Sequence, residues 1–217
     1  MAFSVLVTAS KSAAGSGGAT TDAVDTTGAN LIVIAVSRFN GAITLSDSKG
    51  NTWTPLTDTS SSGCRLYYTV PSSVGSGHTF STAGTNVYAP LAVLAVSGAA
   101  ASPFDAQNTF ATGSGSTGQP GSITPAEDNE LLVACAYQDN GAGPSTIDSG
   151  YTEVADLVFI ASNSLGLIFG YKIQTAAGAE NPTFTYTATN PRRLAAAAFK
   201  AAAGGGGGNP WSVYAQQ

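Results

Sequence analysis

Two stretches decide the fold: "NLIVIAVSRFNG" at residues 30–41 and "ELLVACAYQDNG" at residues 130–141. Leu31 aligns with Leu131, Val33 with Val133, and Asn40-Gly41 with Asn140-Gly141. Each opens with a short, unbroken apolar run, and in the first the run is rich in β-branched residues. That length suits a strand buried on both faces better than a helix. The likeness continues in order along the chain. "HTFSTAGTN" from His78 resembles "PTFTYTATN" from Pro182, and "LAVLAVSGAA" from Leu91 resembles "LAAAAFKAAA" from Leu194. The chain therefore carries an internal duplication, with halves at about 20–100 and 115–203.

The repeated plan is β. "TFTYT" (residues 183–187) alternates Thr with aromatic residues, the period of a half-buried strand. "CRLYYTV" and "GLIFGYKI" read as further strands, and "SDSKGNTWT" (residues 46–54) as a turn between strands. Residues 194–200 are Ala-rich, but their repeat partner is strand-like, so a strand is expected there too. The fold class is all-β: an antiparallel β-sandwich, jelly-roll-like, in one domain over 1–203. The halves are expected to interleave in a single sandwich related by a pseudo-twofold. The bridge "SGAAASPFDAQNTFATGSGSTGQPGS" (residues 97–122) would then pack Phe104 and Phe110 onto a shared core. Val33, Val133, Leu66, Phe80, Phe169 and Phe184 are expected to be buried.

Several function classes lose support from composition. Charged residues make up 10% of the 217, and the eight Lys and Arg are scattered against 13 Asp and Glu. No basic stripe for nucleic acid and no polybasic membrane patch results. No apolar run approaches a membrane span, and the opening "MAFSVLVTAS" lacks the basic start of a signal peptide. Cys64 and Cys135 sit in neither a redox nor a metal-ligand spacing. Cys135, inside "LLVACAY", reads as a small core residue, and nothing in the sequence supports a disulfide between the two.

The chemistry-bearing residues read as structural. His78 is the only histidine and opens a strand. Asp47 and Asp148 align as turn residues, each followed by Ser. No cofactor or metal and no enzymatic activity is expected. Aromatic side chains could instead stack on sugar rings, with Trp53 and Tyr151 as the glycan-binding candidates. Trp53 aligns with Glu153, which suggests a partly exposed ring.

In order, an apolar strand, "DSKGNTW", "LYYTVP", "LAVLAVSG", "PFD" and "NELLVACAY" resemble a β-sandwich module that recurs in bacteriophage structural proteins and bacterial surface proteins. The resemblance spans about residues 20–200. It implies a virion location and a non-enzymatic structural role, as a capsid decoration protein or a tail or fibre component. Its partners would be a major capsid or tail protein and further copies of itself; neither nucleic acid nor membrane is expected. The alternative is a carbohydrate-binding module that meets a surface glycan. Beyond the sandwich, five glycines at 204–208 form a flexible tether to "NPWSVYAQQ". In that peptide Pro210, Trp211 and Tyr214 are the expected partner-binding residues.

Overall fold

The computed structural model describes residues 2–13, 17–39, 41–59, 62–84, 88–110, 115–138, 146–148, 150–159, 165–186 and 192–203. The expected anchor residues Pro210, Trp211 and Tyr214 lie outside them. Seventeen strands and no helix are found among the described residues. The first half comprises β1 (Ser4–Lys11), β2 (Gly17–Gly18), β3 (Leu31–Arg38), β4 (Thr44–Asp47), β5 (Thr54–Pro55), β6 (Gly63–Thr69), β7 (Phe80–Ala83), β8 (Tyr88–Ala89) and β9 (Leu91–Ser97). The second comprises β10 (Ala99–Phe110), β11 (Thr117–Gly118), β12 (Leu131–Gln138), β13 (Thr146–Ile147), β14 (Thr152–Phe159), β15 (Leu165–Ile173), β16 (Phe184–Thr185) and β17 (Arg192–Ala201).

The halves repeat the same sheets. Each has a five-stranded antiparallel sheet, ordered β1-β9-β3-β6-β5 in the first and β10-β17-β12-β15-β14 in the second. Each also has a smaller outer sheet, built on the β4–β7 pair or on β11-β16-β13. The first strand of each half pairs with its last, and the last with the third, the connectivity of a jelly roll. A bulge recurs as well: the register shifts between Val5 and Val7 on β1 and between Phe104 and Ala106 on β10. The Ala-rich stretch is strand β17, as its repeat partner indicated.

Four layers result, and they explain the unbroken apolar runs. Leu31, Val33 and Ala35 face a central layer together with Leu131, Val133, Cys135, Leu66, Phe169 and Phe199. The intervening Ile32, Ile34 and Val36 face the first outer sheet with Phe80, while Leu132, Ala134 and Ala136 face the second with Phe184. A strand that serves two cores has no solvent face and so no polar alternation. The six positions expected to be core are all buried. Cys64 and Cys135 are free thiols in the central layer. Burial, the largest influence, pushes the Cys135 thiol well up, and the neighbouring Cys64 adds to it.

Two expectations need correction. The halves do not interleave: each five-stranded sheet draws on one half only, and the two stack face to face. β6 lies across β12 and β17, and β1 lies against β14. At the other end the Thr57 amide, just past β5, donates to Gln107 Oε1 on β10 at 2.9 Å, as a twofold relation requires. The supposed bridge contains the strand β10, so each repeat begins one strand earlier than the sequence likeness indicated. Phe104 packs on the central layer, whereas Phe110 is 43% exposed.

Candidate functional site

Three side chains of the types used in nucleophilic catalysis meet beneath the first outer sheet. Thr26 Oγ1 lies 2.8 Å from His78 Nδ1, and His78 Nε2 lies 3.1 Å from Asp47 Oδ1. A hydroxyl, an imidazole and a carboxylate in this order are the parts of a triad. Their surroundings argue for another role. Thr26 and His78 are fully buried, and the Asp47 side chain is equally inaccessible. The Thr26 hydroxyl also accepts from the Gly75 amide at 3.1 Å. The His78 ring stacks on Phe80 at 4.2 Å. No substrate reaches this hydroxyl in the folded protein.

Asp47 is the hub. Its Oδ1 accepts from the Lys49 amide at 2.8 Å and from Asn51 Nδ2 at 3.2 Å, and its Oδ2 accepts from Trp53 Nε1 at 2.9 Å. Asn51 passes the tie to the next loop, donating to the Ser73 carbonyl and accepting from the Ser73 amide. The network pins the β4–β5 turn to the His78 segment and the 72–75 loop. Buried polar groups fully satisfied in this way rigidify a core.

The ladder registers identify the true repeat partners. Asp47 pairs with Phe80, and Ile147 with Phe184. The equivalent of Asp47 is therefore Ile147, and Asp148, which is exposed and accepts from the Thr183 amide, matches Ser48. Thr54 pairs with Tyr68, and Thr152 with Tyr171, so Trp53 stands where the second half has Tyr151, not Glu153. Both rings are half-buried against their outer cores. Trp53 meets Phe80 edge-on at 6.1 Å, and Lys172 Nζ sits 5.9 Å from the Tyr151 ring centre. Burial pushes the Tyr151 phenol up, with Glu180 and Asp148 adding to it. The glycan candidates thus lie in separate halves, each partly committed to packing.

The second half places its polar cluster elsewhere. Asp105, in the bulge of β10, pairs with Lys200 at 3.0 Å and accepts from the Ala126 amide at 2.8 Å. Burial disfavours its charge, but Lys200 and Ala126 outweigh it and hold the Asp105 pKa below the usual range. Glu130 beside it is fully buried, and burial pushes its carboxyl up, with Asp105 contributing further. Of the two carboxyls, Asp105 loses its proton first.

Among the described residues no three His, Cys, Asp or Glu side chains are grouped to hold a metal ion, and no helix is long and apolar enough to cross a membrane. No protein-family model, curated protein or solved structure matches the chain.

The buried histidine gives stability a pH dependence. Removal from water, the largest influence, lowers the His78 pKa, and the Asp47 carboxylate opposes this without reversing it. The unfolded chain then binds a proton near pH 6.5 that the folded chain refuses. Stability should be full above that value and fall as pH drops through it toward the folded pKa. Glu130, pushed up, titrates with the opposite sign, so urea midpoints are best compared in a Glu130→Gln background. A midpoint that rises from pH 7.5 to pH 5.5 would contradict the assignment of a neutral His78.

Proposed function

We propose that this chain is a non-enzymatic structural protein of a virion, a capsid decoration protein or a tail or fibre component. It attaches to a major capsid or tail protein through its sandwich faces and C-terminal peptide, and it assembles as a homo-oligomer. The observation that carries this reading is how the polar residues are used. The one hydroxyl–imidazole–carboxylate set, Thr26, His78 and Asp47, is sealed inside as a structural tie. What the chain offers outward is a doubled block with a surface poor in charge. The sequence resemblance to phage structural modules points the same way. On a particle, repetition multiplies weak contacts by avidity.

Five glycines such as those at 204–208 would, as a flexible chain, span roughly 12 Å, from about 5–6 Å times the square root of residue number. That would let Trp211 and Tyr214 search a neighbouring surface. Quantitative mass spectrometry of purified particles should find the chain at a fixed, stoichiometric copy number, reduced tenfold or more by deletion of residues 204–217. Absence from particles would remove the reading, and unchanged occupancy of the deleted form would remove the anchor.

A second reading, a carbohydrate-binding module on a phage or bacterial surface, is favoured by one observation. An uncharged cleft lined by hydroxyls and aromatic rings opens at one end of the stacked sheets.

A further inference from the structure

That cleft, of about 370 Å³, lies where the ends of β5 and β6 face the start of β10. It exists because β10 departs from its partner. The register jumps from Ala99 opposite Ala201 to Phe104 opposite Phe199, so β10 carries extra residues there and bulges. Bulges of this kind re-aim side chains and are common beside functional sites. Pro103, with no amide hydrogen to donate, is tolerated because β10 is an edge strand.

The lining has two parts. Tyr68 and Phe104 form a near-parallel aromatic pair, with ring centres 5.9 Å apart and planes 14° apart, backed by Phe199. Around them stand the exposed Thr52, Thr54 and Ser102, whose hydroxyls make no side-chain hydrogen bond among the described residues; Thr69, also at the lining, is buried. Val70, 47% exposed, lines the cleft as well. Among the described residues no charged side chain lines it.

We infer that this cleft binds a neutral saccharide, with Tyr68 and Phe104 as the apolar platform and the hydroxyls of Thr52, Thr54 and Ser102 as hydrogen-bond partners. The inference rests on the carbohydrate-binding reading and moves its site away from Trp53 and Tyr151. A sugar ring offers apolar C–H faces and a rim of hydroxyls that both donate and accept. Thr and Ser hydroxyls match that rim because each also donates and accepts. Anionic ligands would find no cation in the cleft. The volume sits at the small end for ligand sites, room for a short glycan of on the order of one or two rings.

The test is an array of neutral hexose and N-acetylhexosamine oligosaccharides probed with the full chain, followed by calorimetric titration of the best hit. Ser102 is exposed, so Ser102→Arg obstructs the cleft without removing packing. It should weaken binding at least tenfold with an unchanged melting temperature, and Trp53→Phe should leave affinity within about twofold. Binding lost in Trp53→Phe but kept in Ser102→Arg would overturn the cleft while sparing the carbohydrate reading. No binding to any glycan would remove both. A synthetic peptide of residues 209–217 is titrated in parallel. If it binds with sensitivity to Ser102→Arg and no glycan does, the cleft is a peptide groove and the inference fails.

Discussion

Asp47→Ala should cost about 3–5 kcal/mol, the loss typical when one partner of a buried polar pair is removed. The substitution strands His78 Nε2 where water does not reach, removes the acceptor of Trp53 Nε1, and leaves Asn51 Nδ2 with the Ser73 carbonyl alone. For a chain of this length that corresponds to a fall in melting temperature of about 6–20 °C. Asp47→Asn retains one accepting oxygen and should lose less. Asp148→Ala is the matched control. Asp148 looks like the repeat partner of Asp47, but it is exposed and caps one amide, so its loss should stay under about 1 kcal/mol. Urea denaturation of the three variants checks this. Equal effects at Asp47 and Asp148 would mean that the network is not the hub described.

Phe169→Ala and Phe184→Ala should each lose about 3–5 kcal/mol, the range for truncating a buried phenylalanine in a packed core. Both side chains are wholly inaccessible, but they fill different layers. Phe169 lies in the central layer, to which both large sheets contribute. Phe184 lies between the second large sheet and its outer sheet. A loss below about 1 kcal/mol at either would mean that the strand faces are inverted, since a one-residue slip exchanges the two faces of a strand. The same urea titrations provide the measurement.

The central strands were legible because their composition left little choice. "LIVIAV" and "LLVACA" have no polar face, and the stacked four-layer arrangement is what such strands require. Phe184 was legible because Thr alternates with aromatics around it, and Phe80 because its segment resembles that one. The start of each repeat was not. β10 reads "AAASPFDAQNTF", with a proline, small residues and no steady alternation, and only pairing with β17 makes it a strand. The Asp47 network was hidden by a short shift in register. Sequence likeness aligned Asp47 with Asp148 and Trp53 with Glu153, whereas the ladders match Asp47 to Ile147 and Trp53 to Tyr151. The turn between β4 and β5 is longer than the one between β13 and β14, and no local signal marks where the extra residues enter. The Tyr68–Phe104 cleft joins residues from opposite halves, so neither repeat could disclose it alone.

The two repeats should unfold as one block, held by the layer they share. Hydrogen exchange with mass spectrometry across a urea series tests this most directly, using peptides that cover Leu31–Arg38 and Leu131–Gln138. These strands face each other's layer through Leu31, Val33, Leu131 and Val133. Both peptides should lose protection at the same urea concentration, in one transition. Two separate midpoints, with one strand still protected after the other has exchanged, would show two independent units and contradict the account.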